Sequence, residues 1–396
     1  MNNETRQIPL QSKLFESITR VRPLAEARAD ESDRGATLHP DVVKAMQQEQ
    51  LFHLVAPREV GGFEAEPMVQ LAVFEQMAHA DPSAGWSLMI GSVITAQMAA
   101  YLPDSAVERM FAAGRMPIGA GLQMPTGHAR RVAGGYEVSG RWAFGSGIRH
   151  AQWVFTPALL DEPSANAMPT LVQVAVPIEQ VMIEHTWQTS FLSGTGSEHY
   201  RIEGVFVPEA FTCSAPAPAR RRGGHFFELP FLAQVMPAHT GFAIGVARRA
   251  LEEIASVAPI KKKTWTMEPL ASQSHFRVEL GRNRAALDGA RAYAREVVAM
   301  MMNTIAAGKP LGHEEWAAVR AATTYCTEVA VAATQFAFKA GGSSAIYAGT
   351  RLERCFRDIH AAAQHVAATD DAYDFAGRVM LGETPFHPLL MPRPPA

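Results

Sequence analysis

The sequence predicts an α+β protein whose chain runs helices, then strands, then helices. Three observations predict it. Residues 11 to about 115 carry apolar side chains at helical spacing. Tyr136, Val138, Trp142 and Phe144 fall at even spacing, as on one face of a strand. Residues from about 230 to 382 are rich in alanine, with long stretches free of proline.

In the first region Pro40 suits the opening position of a helix, and Val42, Val43, Met46 and Leu51 form its stripe. Gly61-Gly62 breaks the chain, residues 68–78 read as a second helix, and Asp81-Pro82 starts a third. The longest apolar run, residues 86–102, is interrupted by Ser87, Ser92, Thr95 and Gln97. It therefore reads as a buried helix and not as a membrane span. In the second region Gly134-Gly135 signals a hairpin ahead of the even-spaced strand. Residues 170–176 read as a strand ended by Pro177, and residues 200–202 and 205–207 as strands flanking a turn at Glu203-Gly204. Residues 212–224 are a loop by composition. The expected domains are residues 1–115 (helical), 116–225 (β) and 226–396 (helical bundle).

The chain has 396 residues, 47% hydrophobic and 19% charged, with a net charge of -3. That suits several packed regions and lacks the basic excess of a nucleic-acid binder. Arg220-Arg221-Arg222 and Lys261-Lys262-Lys263 read as solvated loops, with an anion-attracting patch as the alternative. Cys213, Cys326 and Cys355 show no metal or redox spacing, so no metal site and a reducing cytoplasmic setting are expected. Residues 1–10 hold no apolar core of a signal peptide. There is no dinucleotide fingerprint, phosphate loop, nucleophile elbow or Glu-x-x-His pair.

Two histidines near the end, His360 and His365, are the side chains suited to proton chemistry near neutral pH. If residues 356–365 form one helix, these two lie about 140° apart and cannot enter one pocket together. His365 would share its face with Asp358, Ala361 and Ala362, and the alanines would leave room beside its ring.

Several segments resemble the acyl-CoA dehydrogenase superfamily in their order and spacing. They are His39-Pro40-Asp41-Val42-Val43; Leu51-Phe52 with Pro57 and Gly61-Gly62; Asp81-Pro82-Ser83-Ala84-Gly85-Trp86; residues 135–147 (Gly-Tyr-Glu-Val-Ser-Gly-Arg-Trp-Ala-Phe-Gly-Ser-Gly); Gly194-Thr195-Gly196-Ser197; Val205-Phe206-Val207-Pro208; and Arg357-Asp358 through His365. The resemblance implies an N-terminal helical domain, a central β-barrel or sandwich and a C-terminal helical bundle. Many dehydrogenases of this family place a glutamate base nine residues before the aspartate of the Arg-Asp pair. Here that position is Gly349, which cannot take a proton. The closing Gly-Thr pattern is also absent, with His365 and Asp370-Asp371 standing there. On both points the chain is similar to the branch of two-component, reduced-flavin-dependent monooxygenases (group D).

That resemblance implies FMNH2 (or reduced FAD) supplied by a separate NAD(P)H:flavin reductase. It implies reaction with O2 through a flavin C4a-hydroperoxide, and hydroxylation of a small aromatic or polycyclic substrate by a homotetramer. It places Ser146 near flavin N5. It places Trp142, Phe144, Gln123, Thr126, Gly341 and Gly342 toward the cofactor, the last two toward that of a neighbouring subunit. Trp86 and His365 are placed at the substrate, with His365 as the base. His360 and the Arg357-Asp358 pair are given structural roles. Some relatives carry a further histidine downstream of the tryptophan, whereas residues 87–98 here have none. Gln188, Phe191, Leu192, Phe226, Phe227 and Phe231 fit either a pocket wall or a core, and residues 216–224 a mobile cover. The alternatives are nitrogen or sulfur oxygenation on this scaffold, an acyl-CoA dehydrogenase with a displaced base, and a flavin-binding protein without turnover.

Overall fold

The structure is a computed structural model that describes residues 9–162, 170–215, 218–262, 265 and 267–386. The N-terminal helices are α1 (Leu10–Gly35), α2 (Pro40–Gln48), α3 (Pro67–Ala80), α4 (Pro82–Tyr101) and α5 (Asp104–Met110). The strands are β1 (Gly119–Ala120), β2 (Gly127–Val132), β3 (Gly135–Gly145), β4 (Trp153–Leu160), β5 (Leu171–Pro177), β6 (Met182–Ile183), β7 (Glu198–Pro208) and β8 (Thr212–Ala215). The C-terminal helices are α6 (Phe231–Val257), α7 (Ser274–Ala306), α8 (His313–Gly341), α9 (Arg351–Ala362) and α10 (Asp371–Met380). No helix among the described residues is long and apolar enough to cross a membrane.

Helix α4 is the wall between two apolar cores. Its start is written in the sequence: the Asp81 carboxylate accepts the Ala84 N–H at 2.8 Å, and Pro82 takes the first helical position. Its remaining residues are buried almost without exception, as befits a helix apolar on all sides. Trp86 and Leu88 face the core shared with the C-terminal bundle, whereas Ile94, Met98 and Leu102 face the core of the sheet. The bundle closes tightly on the N-terminal helices. A Cβ at Gly241 of α6 would lie 2.3 Å from the Leu71 carbonyl oxygen, and one at Gly245 would lie 2.2 Å from that of Glu75. Only glycine permits this backbone-to-backbone approach of α6 to α3.

The strands form one mixed sheet in the order β6-β7-β3-β2-β4-β5-β8, with β1 paired to β4. The expected hairpin is β2–β3, and the expected strand over 170–176 is β5. Instead of a turn at Glu203-Gly204, β7 runs unbroken from Glu198 to Pro208. Val138 pairs with Val205 and Gly140 with Ile202, so an extra β7 residue bulges. Gly204 takes a φ of 62° there, and its N–H donates to Ser139 Oγ at 2.9 Å. The even spacing in β3 holds through Trp142 and then fails. The register shifts between Trp142 and Gly145, and Phe144, at φ 56°, turns its ring 57% into solvent.

Residues 212–224 are less loop-like than their composition suggests. Thr212–Ala215 is β8, paired with β5. Residues 216–217, the start of the expected mobile cover, lie outside the described residues. The described part is pinned, because Arg222 donates to the Ala99 and Leu102 carbonyls at 2.7 and 2.9 Å and pairs with Asp104. The Gly223 and Gly224 N–H groups donate to Glu59 and Glu64. Arg220 pairs with Glu228, so this basic run is held by partners. In the second run Lys261 donates to Ser344 Oγ at 2.9 Å, and Lys263 lies outside the described residues.

Candidate active site

Three chain segments meet at Trp86. Its indole Nε1 donates to Ser146 Oγ at 3.1 Å, bridging α4 to the turn that follows β3. Ser146 Oγ lies 2.7 Å from Ser197 Oγ, Ser197 Oγ lies 2.7 Å from Thr195 Oγ1, and Thr195 Oγ1 donates to the Leu192 carbonyl at 2.7 Å. The turn holding Ser146 is itself fixed, since the Gly147 N–H donates to the Thr195 carbonyl at 2.9 Å. Trp86 and Ser146 are each 6% exposed.

On its other side the Trp86 ring packs edge-on against His365, with centroids 5.6 Å apart, and against His239 and Phe242 at 5.9 and 5.1 Å. The two imidazoles lie 5.3 Å apart. Helix α9 ends at Ala362, so His365 stands in the turns beyond it, and the expected helical angle between His360 and His365 does not apply. The Ala367 N–H donates to His365 Nδ1 at 3.2 Å. With that nitrogen accepting, the proton of the neutral ring sits on Nε2. Burial pushes the His365 pKa down to about 4. The neutral ring thus presents an N–H donor, whereas the sequence reading expected a base.

His239 was not legible in the sequence. It lies on α6, 0% exposed, its Nε2 donating to the Ala362 carbonyl at 3.3 Å and its Nδ1 3.4 Å from Thr327 Oγ1. Burial, and secondarily His365, push its pKa down to about 3. It places a second imidazole beside Trp86. His150 is a further addition. It is half-buried, it packs against Gly147, and neither ring nitrogen has a hydrogen-bond partner among the described residues. Burial lowers its pKa to about 4. Its place four residues after Ser146 was the available signal.

The Arg357-Asp358 pair ties the loop before β7 to α9. Asp358 Oδ1 accepts the Leu192 N–H at 2.6 Å, and Arg357 donates to the Ser190 carbonyl and pairs with Asp33 of α1 at 3.1 Å. Burial holds the Asp358 pKa well above the usual carboxylate range, with Arg357 opposing.

The other expected site residues are dispersed. Trp142 leaves the cofactor set: it is 0% exposed, stacked on Tyr200 inside the sheet core, its indole N–H donating to the Pro157 carbonyl at 3.1 Å. A side chain on that inner face cannot reach a ligand outside the sheet. Phe144 faces outward, edge-on to Trp187 at 6.3 Å. Gln123 spends its amide on the Phe155 carbonyl and Gln173, and Thr126 donates to the Arg141 carbonyl. Gly341 and Gly342 end α8, Gly342 with φ 57° beside Lys261. His360 bonds the Phe356 carbonyl and Gln335 on α9's own neighbourhood. Phe226 and Phe227 belong to the helical core, while Phe191 is 42% exposed.

Residues 19–110 match the family model of the acyl-CoA dehydrogenase N-terminal domain, and residues 238–370 that of the acyl-CoA dehydrogenase C-terminal domain. The two matches together take in more than half of the chain. The chain belongs to the acyl-CoA dehydrogenase superfamily. Its curated relatives within this superfamily are named as monooxygenases and hydroxylases, flavin-dependent ones among them. Indole-3-acetate monooxygenase of Pseudomonas putida is 29% identical over 365 residues, covering 91% of each chain. The oxygenase component of FADH2-dependent resorcinol hydroxylase from Rhizobium sp. is 24% identical over 395 residues, 94% of this chain and 95% of that one. XiaF from Streptomyces sp., solved in complex with FADH2 and glycerol, has the same fold. Its TM-score is 0.87 at 22% identity, covering 96% of this chain and 98% of that one.

Within the acyl-CoA dehydrogenase frame, the position expected for a carboxylate base is closed. Gly349 has a φ of 86°, and a Cβ there would lie 3.2 Å from both Asp30 carboxylate oxygens. The residues present do fit a flavin. Ser146 offers a nearly enclosed hydroxyl, and Phe144 and Trp187 offer aromatic rings at the same end of β3.

Proposed function

We propose that this chain is the oxygenase component of a two-component flavin-dependent monooxygenase that hydroxylates a small aromatic compound. The observation that carries the reading is that the Trp86 ring joins Ser146 on one side to His365 on the other, bringing residues of three segments together. When bound, the reduced flavin would supply the two electrons that activate O2, and the sum is substrate, O2 and reduced flavin giving hydroxylated product, water and oxidised flavin. FMN and FAD are both tested, since two similar proteins are named with FADH2.

The chain's own residues then have three tasks. Ser146 hydrogen-bonds the flavin at N5. Trp86 separates that point from His365 and excludes water with its apolar ring, which strengthens the polar contacts beside it. The His365 Nε2–H donates to an oxygen substituent of the substrate. Such a donor favours a phenolate over a phenol, and so raises the electron density of the ring being hydroxylated. A homotetramer and a separate NAD(P)H:flavin reductase complete the proposal.

The test is to mix the protein anaerobically with reduced FMN or FAD, add ¹⁸O2, and follow flavin absorbance and product mass with indoles and phenols. A long-lived hydroperoxide band and one labelled oxygen in the product are expected. Reoxidation that releases all its reducing equivalents as hydrogen peroxide, with every aromatic tried, overturns the reading.

A further inference from the structure

Ser146 is the head of a chain of hydroxyls whose proton order the geometry fixes. The Leu192 carbonyl can only accept, and Thr195 Oγ1 lies 2.7 Å from it, so the Thr195 proton must lie between them. Thr195 Oγ1 then has only lone pairs to offer at its 2.7 Å contact with Ser197 Oγ, so Ser197 donates. By the same step Ser197 can only accept from Ser146 at 2.7 Å, so Ser146 donates. On its other side Ser146 accepts from Trp86 Nε1, which has no lone pair to offer. A hydroxyl has one proton and two lone pairs. Ser146 has therefore committed its proton and one lone pair, and what remains is a single acceptor.

We infer that Ser197 and Thr195 are positioning residues that lock Ser146 as a hydrogen-bond acceptor, and that this lock makes the site select reduced over oxidised flavin. The inference rests on the proposed reading that flavin N5 meets Ser146. In reduced flavin N5 carries a hydrogen and donates. In oxidised flavin N5 is an imine nitrogen with only a lone pair. A free serine would rotate to serve either state, whereas a locked one opposes its lone pair to that of the oxidised ring. The lock is built into the fold. Thr195 is 0% and Ser197 3% exposed, and the Leu192 carbonyl that ends the chain is held in place because Asp358 accepts the same residue's N–H at 2.6 Å.

The test is equilibrium binding of oxidised and of dithionite-reduced FMN, and FAD in parallel, under anaerobic conditions. Ser197→Ala frees the Ser146 proton, and oxidised flavin is expected to bind about tenfold more tightly, the size of one ordinary hydrogen bond. Affinity for reduced flavin should change much less, so the ratio of the two Kd values falls. Thr195→Val, which keeps the side-chain shape but removes the hydroxyl, should move the ratio the same way, and Thr195→Ser should keep it near wild type. Circular dichroism and the melting temperature establish that each variant is folded. An unchanged ratio in both folded Ser197→Ala and Thr195→Val, with reduced-flavin affinity still sensitive to Ser146→Ala, overturns the lock alone. If Ser146→Ala leaves both affinities unchanged, the flavin does not meet Ser146, and the underlying reading falls with it.

Discussion

The pair of imidazoles on Trp86, His239 buried and His365 half-buried, divides the work between residues 126 positions apart. His239 is fixed by α6 and bonded to the Ala362 carbonyl, so it shapes the turn that carries His365. His365 is held by the Ala367 N–H in the tautomer that donates from Nε2, and burial keeps it neutral down to about pH 4. A base with the ordinary histidine pKa would give a rate that rises through about pH 6.5. The expected outcome is instead a kcat for hydroxylation without an inflection from this residue between about pH 5.5 and 8. His365→Ala should lower that kcat by about 10²-fold while flavin affinity stays unchanged. A wild-type inflection near pH 6.5 that vanishes in the variant would mean that the ring titrates as a base. His365 and Ser146 could be singled out from sequence because each sits in a run of recognisable neighbours. His239 could not, since its surroundings, Pro237-Ala238-His239-Thr240-Gly241, look like any buried helix. Only the crossing of α6 over α4 gives it meaning.

At the scale of elements, the Asp358 carboxyl joins α9 to the loop that carries Leu192, Thr195 and Ser197. Leu192 adopts φ 46°, a left-handed conformation unusual for leucine, so the loop depends on its partners. Asp358→Ala leaves the Leu192 N–H buried without an acceptor, a loss of about 1–3 kcal/mol. Asp358→Asn keeps an acceptor oxygen and adds no charge to a site that already favours the neutral acid. It should therefore retain most of the stability. Urea denaturation of the two variants measures this, and equal losses in both would show that the charge matters more than the hydrogen bond. Gly245→Ala makes a steric case at the α3–α6 crossing, where the new Cβ would meet the Glu75 carbonyl oxygen at 2.2 Å. The helices must separate, and a loss of about 1–3 kcal/mol is expected by the same measurement. Strand alternation through Trp142 was legible because one side of β3 is a continuous core. The turn expected at Glu203-Gly204 is a bulge because a bulge and a turn both call for glycine, and the resemblance that placed Trp142 toward a cofactor says nothing of which face of β3 that side chain occupies.

For the whole molecule, the helix–strand–helix order was legible because packed helices and a one-faced sheet impose different spacings on apolar residues. The closing of the two cores around α4 was not, since it depends on contacts far apart in sequence. That closure has a consequence for pH stability. His150 and His365 have pKa values lowered to about 4, and His239 to about 3, by burial. An unfolded chain returns each to about 6.5. Between these values the unfolded chain binds protons that the folded chain refuses, so these histidines favour folding above about pH 6.5 and lose that contribution as pH falls toward 4. Asp81, raised to about 6 by burial, and Asp358, raised in the same direction, act with the opposite sign, since the folded chain binds their protons first. The net curve is thus a difference, and single variants separate its parts. His150→Asn removes a ring whose nitrogens bond no described residue, so it should reduce the stability lost between about pH 7 and pH 5 by roughly 2 kcal/mol. Asp81→Asn keeps the helix cap of α4 but removes an opposing titration, so it should steepen the loss over the same interval. Urea midpoints measured across that range at constant ionic strength decide it. Parallel curves for wild type and both variants would mean that these buried groups do not govern the acid response.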